Sequence, residues 1–360
     1  MESKVRNSNI ELFRILSMIC IIAHHYVVNS GLTKMMNESP LSVNSIFLTF
    51  FGGGGKIGIN CFVLITGYYM CTSDISLKKF LKLFLEVEFY KIIIYSIFVV
   101  TGYIDFTVTG CIKYIFPITG IRTGFTFSYL AFYLLIPFVN KLIHNITKKE
   151  HISLLGILLF VYSVMPSLKM VTFSLDYVIW FIIIYLVASY IRLYPAPIYE
   201  NKGFWTLAMG GTVMLSYLSE LVGLWIGVTK DNPSLRYFFV ADSNKVLALI
   251  VAVSAFMFFK NLNLKYCKYI NVAAASCFGI LMIHANSDAM RQWLWGDLLR
   301  NTEQFDSKYL VLHAIGAVIG IFGICMLIDI IRVKLLEKPF FRLYDRYIVK
   351  EQVNAKEENR

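Results

Sequence analysis

The sequence predicts an all-α integral membrane protein, a bundle of about ten transmembrane helices. Of the 360 residues, 57% are hydrophobic and only 16% charged, a composition that suits lipid better than water. Apolar runs of about 20 residues recur along the chain, each long enough as a helix to cross roughly 30 Å of hydrocarbon. The short alternating strands of a membrane barrel do not occur in the sequence.

Taken in order, the expected spans are 10–28, 46–70, 83–103, 125–143, 152–166, 175–194, 204–227, 244–261, 270–290 and 309–331. The first follows Lys4 and Arg6 as a signal peptide would, but it contains Arg14, His24 and His25 and lacks a small-residue cleavage site. It reads as a retained helix. The second contains Gly52 to Gly55, an expected irregular entrance that protein or water must cover. With Lys56 this run invites a phosphate-loop reading. Phe50 at the first glycine position and Ile57 in place of Ser or Thr exclude it. The third span begins with Glu86, Glu88 and Lys91, and Glu88 and Lys91 are one turn apart, as in a structural pair. The stretch 152–166 is short enough to tilt or re-enter. Gly316-x-x-x-Gly320 in the last span permits close helix packing.

The long polar interruptions, 29–45, 104–124, 228–243 and 291–308, all fall on one side of this arrangement, taken as the outside. From Lys334 the chain turns polar, as expected of a short interfacial helix and a disordered end. The organisation is therefore a transmembrane domain over 1–335 and a cytoplasmic polar tail over 336–360.

A net charge of +11 raises the question of nucleic acid. The distribution answers it: 21 of the 34 Lys and Arg lie in segments on the N-terminal side of the membrane. That asymmetry is the positive-inside rule, with both termini cytoplasmic, so no nucleic-acid partner is needed. The seven cysteines are scattered, mostly in apolar segments and without a CxxC pair. No disulfide framework or metal site is expected.

An ionisable side chain inside a span costs several kcal/mol unless it meets protein, water or a partner. Arg14 and His25 are eleven residues apart, three helical turns plus about 20°, so they share a face, about 16 Å apart along the axis. His24 points elsewhere. The simpler reading has Arg14 snorkelling to headgroups and the histidines anchoring the far interface. The combination on one face favours a polar path into the bundle, with His25 as a general base whose ordinary pKa lies near neutrality. His284, near the outer end of its span, is a second candidate, either polarising an acceptor or orienting His25. Asp288, one turn on, is its expected partner.

Asn9-Ile-Glu-Leu-Phe-Arg14-Ile-Leu-Ser, continuing to Ala23-His-His25, resembles the opening helix of the membrane acyltransferase 3 family. Ile59-Asn-Cys-Phe-Val-Leu-Ile-Thr66-Gly-Tyr-Tyr69 is similar to the family's second helix, with Thr66 where serine is commoner. Leu77-Lys-Lys79-Phe-Leu-Lys82 stands where many members carry Arg-x-x-Arg; the charge is kept, but the bidentate fork of arginine is lost. Ser128 to Pro137, Trp180 to Leu186 and Ser276 to His284 are similar to later family helices.

The resemblance implies an all-helical membrane enzyme that moves an acyl group, commonly acetyl from acetyl-CoA, to a carbohydrate at the membrane. It implies His25 as the family histidine, Arg14 as its arginine, and Lys79 with Lys82 as the inner basic pair. The physical reading agrees, since inner cations suit the CoA phosphates and a histidine deeper in the bundle suits the acyl end. Arg14, Lys79 and Lys82 are therefore the expected donor-binding residues, and His25, Arg14 and His284 the expected catalytic ones. The expected partners are acyl-CoA, a polysaccharide or lipid-linked glycan, and the bilayer of the cell membrane. A succinyl or other acyl donor is the nearest alternative, and a glycan exporter is the rival from another class, because transport also needs a polar route through a bundle.

Overall fold

Side-chain caps start many of the helices. Asn7 accepts from the backbone of Asn9 at the start of α1 (Ser8–Val28), and Ser42 and Ser76 do the same for α3 (Val43–Gly53) and α5 (Leu77–Val100). A short α2 (Leu32–Glu38) precedes α3, and α4 (Gly55–Met70) continues it. The computed structural model describes residues 7–115, 124–171 and 175–357. Residues 1–6, with Lys4 and Arg6, residues 116–123 of the expected loop 104–124, and residues 358–360 of the expected tail lie outside the described residues.

After α6 (Val108–Ile115) come α7 (Phe125–Asn145) and α8 (Lys148–Leu159), which opens on a Thr147–Glu150 capping box. A π-helical turn, Phe160–Val164, carries α8 into α9 (Met165–Ser167). Asp176 caps α10 (Tyr177–Leu193) and Asn201 caps α11 (Lys202–Thr229). Then follow α12 (Val246–Lys260), α13 (Lys268–Ala275), α14 (Cys277–His284), α15 (Asp288–Arg291), α16 (Leu310–Arg332) and α17 (Lys338–Glu357). No strand occurs among the described residues.

Among the described residues, six helical stretches are long and apolar enough to cross a membrane, or seven if α13–α14 and the element after it form one bent span. The expectation of about ten is not reached by that measure. Each expected span does coincide with a helix, but α10 and α12 have only 17 and 15 residues, and the apolar part of α5 carries Glu86, Glu88 and Lys91. These three helices supply the difference.

Two further expectations change. The glycine run is not irregular: it stays helical through a break at Gly54, whose φ of −75° any residue adopts. Its glycines serve close approach. A Cβ on Gly55 would lie 2.3 Å from His24, and one on Gly53 would lie 2.3 Å from the Glu220 carboxylate. Gly316 and Gly320 behave oppositely: among the described residues nothing lies within 4 Å of where a Cβ would stand.

The core has two parts, and α1 belongs to both. Ile10 and Phe13 pack with α4, α7, α10 and α12, whereas Met18 to Val27 pack with α5, α14, α16 and the segment after α14. The second helix of the first part is pinned by polar contacts: Trp180 Nε1 donates to Asn60 Oδ1 (3.0 Å), and Asn60 Nδ2 donates to the Ser243 carbonyl (2.7 Å). A buried ion network holds the second part. Arg332 contacts Glu86 and Glu337 at 3.0 Å and Asp329 at 2.9 Å, and Tyr90 donates to Asp329 at 2.8 Å. Glu88 and Lys91 are both buried, and the Lys91 ammonium lies 4.4 Å from the centre of the Phe127 ring.

Candidate active site

The site is built where α14 stops. The polar run Ala285-Asn-Ser-Asp ends the helix at His284, Ser287 caps a new start by accepting from Met290, and the chain turns by 96°. The expected straight span 270–290 is therefore broken at its last turn. The re-entering piece is tied down by buried Met290, Leu294 and Trp295, by Asn301 Nδ2 donating to the Tyr26 carbonyl (3.0 Å), and by Tyr103 donating to Asp297 (2.5 Å).

That break places the fully buried His284 against α1. His25 Nδ1 and His284 Nε2 are 3.0 Å apart, across 259 residues of sequence. The proton positions follow from the partners. His284 Nδ1 lies 2.7 Å from the Ile280 carbonyl, which only accepts, so Nδ1 carries the hydrogen. In the neutral ring Nε2 is then a lone pair, and His25 Nδ1 must donate to it. This leaves His25 Nε2 unprotonated, with its lone pair available for a proton. A backbone carbonyl and one histidine thus fix the tautomer of the other.

His24 differs. Its Nδ1 donates to the Gly52 carbonyl at 2.7 Å, and its ring packs on Gly55, so it holds the break between α3 and α4. Asp288 is not the partner of His284: its side chain is 98% exposed and pairs with Arg291 at 2.9 Å, because the helix turns away before reaching it.

Arg14 lies near the other end of α1. Its Nε is 3.6 Å from Glu11, and Thr66 of α4 and Tyr129 of α7 are joined at 2.9 Å. The face between Arg14 and His25 is filled by Met18 and Ile21, both buried in the core. That stretch of the face is therefore apolar, where the expected path was polar. Lys79 and Lys82 belong to the Arg14 end, since α5 starts shortly after Tyr69 near the end of α4. Both are exposed; Lys79 Nζ donates to the Asp74 carbonyl and Lys82 pairs with Glu337, each at 2.6 Å. Lys78 also pairs with Asp345 of α17 at 2.6 Å.

Two groups near the histidines escaped the sequence reading. Lys56 follows the glycine run on which His24 packs, and Arg291 follows the break after His284. Lys56 was set aside with the failed phosphate loop, and Arg291 fell in a stretch read as an outer loop. Seven residues of separation from His284 is the signal that could have raised Arg291, but only once the helix is known to bend. Glu220, 1% exposed in the middle of α11, was also missed.

A family model described as an acyltransferase domain matches residues 7–330. No curated protein and no solved structure matches.

Proposed function

The chain belongs to this acyltransferase family, whose match spans nearly its whole length, and from that premise we propose that it moves an acyl group, acetyl in the first instance, from acyl-CoA to a hydroxyl of a polysaccharide or lipid-linked glycan at the cell membrane. The observation that carries this reading is the histidine pair. An acceptor hydroxyl must lose its proton as it attacks a thioester, and a neutral His25 with its Nε2 lone pair held ready is a base for that step. His284 orients His25 and stabilises the imidazolium that forms. The imidazolium returns its proton to the departing thiolate.

The donor reading rests on charge. Arg14, Lys79 and Lys82 gather at one end of the bundle, which suits the phosphates of CoA, and this end is assigned to the cytoplasm with both termini. Such an assignment follows the charge asymmetry of the sequence. The acyl end must then reach the histidines, about 16 Å from Arg14 along the axis of α1. Membranes containing the protein, given acyl-labelled CoA, are expected to transfer label to glycan, and the mass of the product identifies the group. Glycan of unchanged mass with no consumption of acyl-CoA would remove the proposal.

A further inference from the structure

The turn Pro233–Tyr237 lies against α11 because two glycines let it come close. A Cβ on Gly223 would overlap the Leu235 carbonyl, and one on Gly227 would lie 2.9 Å from the Asn232 carbonyl oxygen. This approach sets Arg236 between α11 and α2, where only 3% of it stays exposed. The place lies beyond the histidine end of α1. There α2 starts at Leu32, shortly after α1 stops at Val28, and its Leu32 and Met36 share a core with Tyr26 and Val27.

A buried guanidinium ordinarily has a carboxylate facing it. Among the described residues Arg236 forms no ion pair; its one hydrogen bond runs from Nη2 to the Met36 carbonyl at 2.9 Å, and its Nε is buried with no partner. The bond to Met36 caps the last turn of α2 and uses a single donor of the fork. The rest is unanswered. A cation this far from water is costly without an anion, and a ligand that carries one would offset the cost.

Arg236 also lines a cavity of about 280 Å³, together with Asn37, Pro40, Leu224, Asp231 and Pro233. Small-molecule sites run from roughly 300 to 1,000 Å³, so this one suits a single small unit. Its walls are mixed. The amide of Asn37 and the carboxylate of Asp231 suit hydroxyls, while Pro40, Leu224 and Pro233 suit the C–H face of a ring. We propose that the cavity holds an acidic sugar unit of the acceptor glycan, with the sugar carboxylate bound by the Arg236 guanidinium. Arginine's planar fork matches a carboxylate with two parallel donors. That the sugar belongs to the acceptor rests on the acyl-transfer reading above; the cavity and its cation do not.

Binding is measured on the purified full chain in a sugar-free detergent, without acyl-CoA, with glucuronate, glucose, acetate and inorganic phosphate as probes. Glucuronate is expected to bind at least about tenfold tighter than glucose, because only glucuronate meets the charge. Equal binding of the two overturns the role of Arg236. Acetate or phosphate binding as tightly as glucuronate describes a bare anion site and overturns the sugar. Arg236→Gln keeps a donor for the Met36 carbonyl and is expected to lose at least about tenfold for glucuronate, with glucose within about twofold. Were it to fail to accumulate, Asp231→Asn is read in its place. Asparagine tolerates the φ of 47° at this position, and loss of the carboxylate is expected to tighten glucuronate severalfold with glucose unchanged. A glucuronate affinity equal to wild type in the variant read overturns the site.

The link to the reaction is tested with labelled acetyl-CoA and an oligosaccharide containing uronic acid. Arg236→Gln is expected to raise the acceptor KM about tenfold with kcat within about twofold. If wild type transfers label and Arg236→Gln matches its acceptor KM, the acceptor assignment alone falls. If glucuronate binds as expected but wild type transfers no label, the acyl-transfer reading falls and the sugar site stands.

Discussion

Two buried polar clusters, one around Arg332 and one around His25, sit in the same half of the core and follow opposite rules. The Arg332 cluster is closed. Its guanidinium meets three carboxylates, Asp329 takes a further hydrogen bond from Tyr90, and Glu337 is also met by Lys82. Each charge has a partner, so the cluster joins α5 to α16 and has no valence left for a ligand. The His25 cluster is open. Its chain of hydrogen bonds begins at a carbonyl, passes through two rings and ends on a lone pair. Both clusters spend stability to bury polarity, and the one with an unfilled position is the one suited to chemistry.

The comparison is broken most directly at His25. His25→Ala should lower acyl transfer by about 10²–10⁴ fold while the protein still inserts and folds, measured as acylated glycan at matched membrane levels. His24→Ala should retain transfer and lose only about 1 kcal/mol of stability, because it gives up a bond to the Gly52 carbonyl. Near-normal product from His25→Ala would sink the catalytic assignment.

At the closed cluster the expected effect is on the fold. Arg332→Ala leaves Glu86, Asp329 and Glu337 without their shared cation, and breaking such a buried set typically costs about 3–5 kcal/mol. Thermal unfolding in detergent should show it. An Arg332→Ala protein as stable as wild type but inactive would reverse the roles given to the two clusters.

The smallest effect belongs to the exposed lysines. Replacing Lys79 and Lys82 together with alanine should raise KM for acyl-CoA by several fold up to about tenfold, with kcat nearly unchanged, because phosphate contacts position rather than react. Arginine at both positions should be tolerated. Since Glu337 already holds Lys82, the donor phosphates compete with that carboxylate. A donor KM equal to wild type in the double alanine variant takes these lysines out of the site.

How much of this was legible beforehand follows from what each feature depends on. The helices were legible because long apolar runs and caps act locally, as at Ser76 before Leu77. His25 stood out as a histidine inside an apolar span, and His284 as a second one. Their meeting was not legible, because it depends on how α1 and α14 pack and not on spacing. The break after His284 falls on Asn286-Ser287-Asp288, a short polar run that a span drawn straight through to residue 290 passes over. The shared face of Arg14 and His25 was correctly placed by helical geometry, yet Met18 and Ile21 on that face announce packing, and the polar path was drawn through them. The glycine run was read for flexibility, although its neighbours His24 and Glu220 make it a surface of contact.

The 259 residues between His25 and His284 also bear on the order in which the protein is made. α1 leaves the ribosome early, carrying one ring of the pair, and the partner emerges only after most of the remaining helices. Until α14 is in place, nothing fixes the His25 tautomer. A nascent or truncated chain therefore enters the membrane without a poised base, and competence arrives with the last third of synthesis. Two fragments divided between α12 and α13, each inert when expressed alone, would regain the pair on meeting in the bilayer.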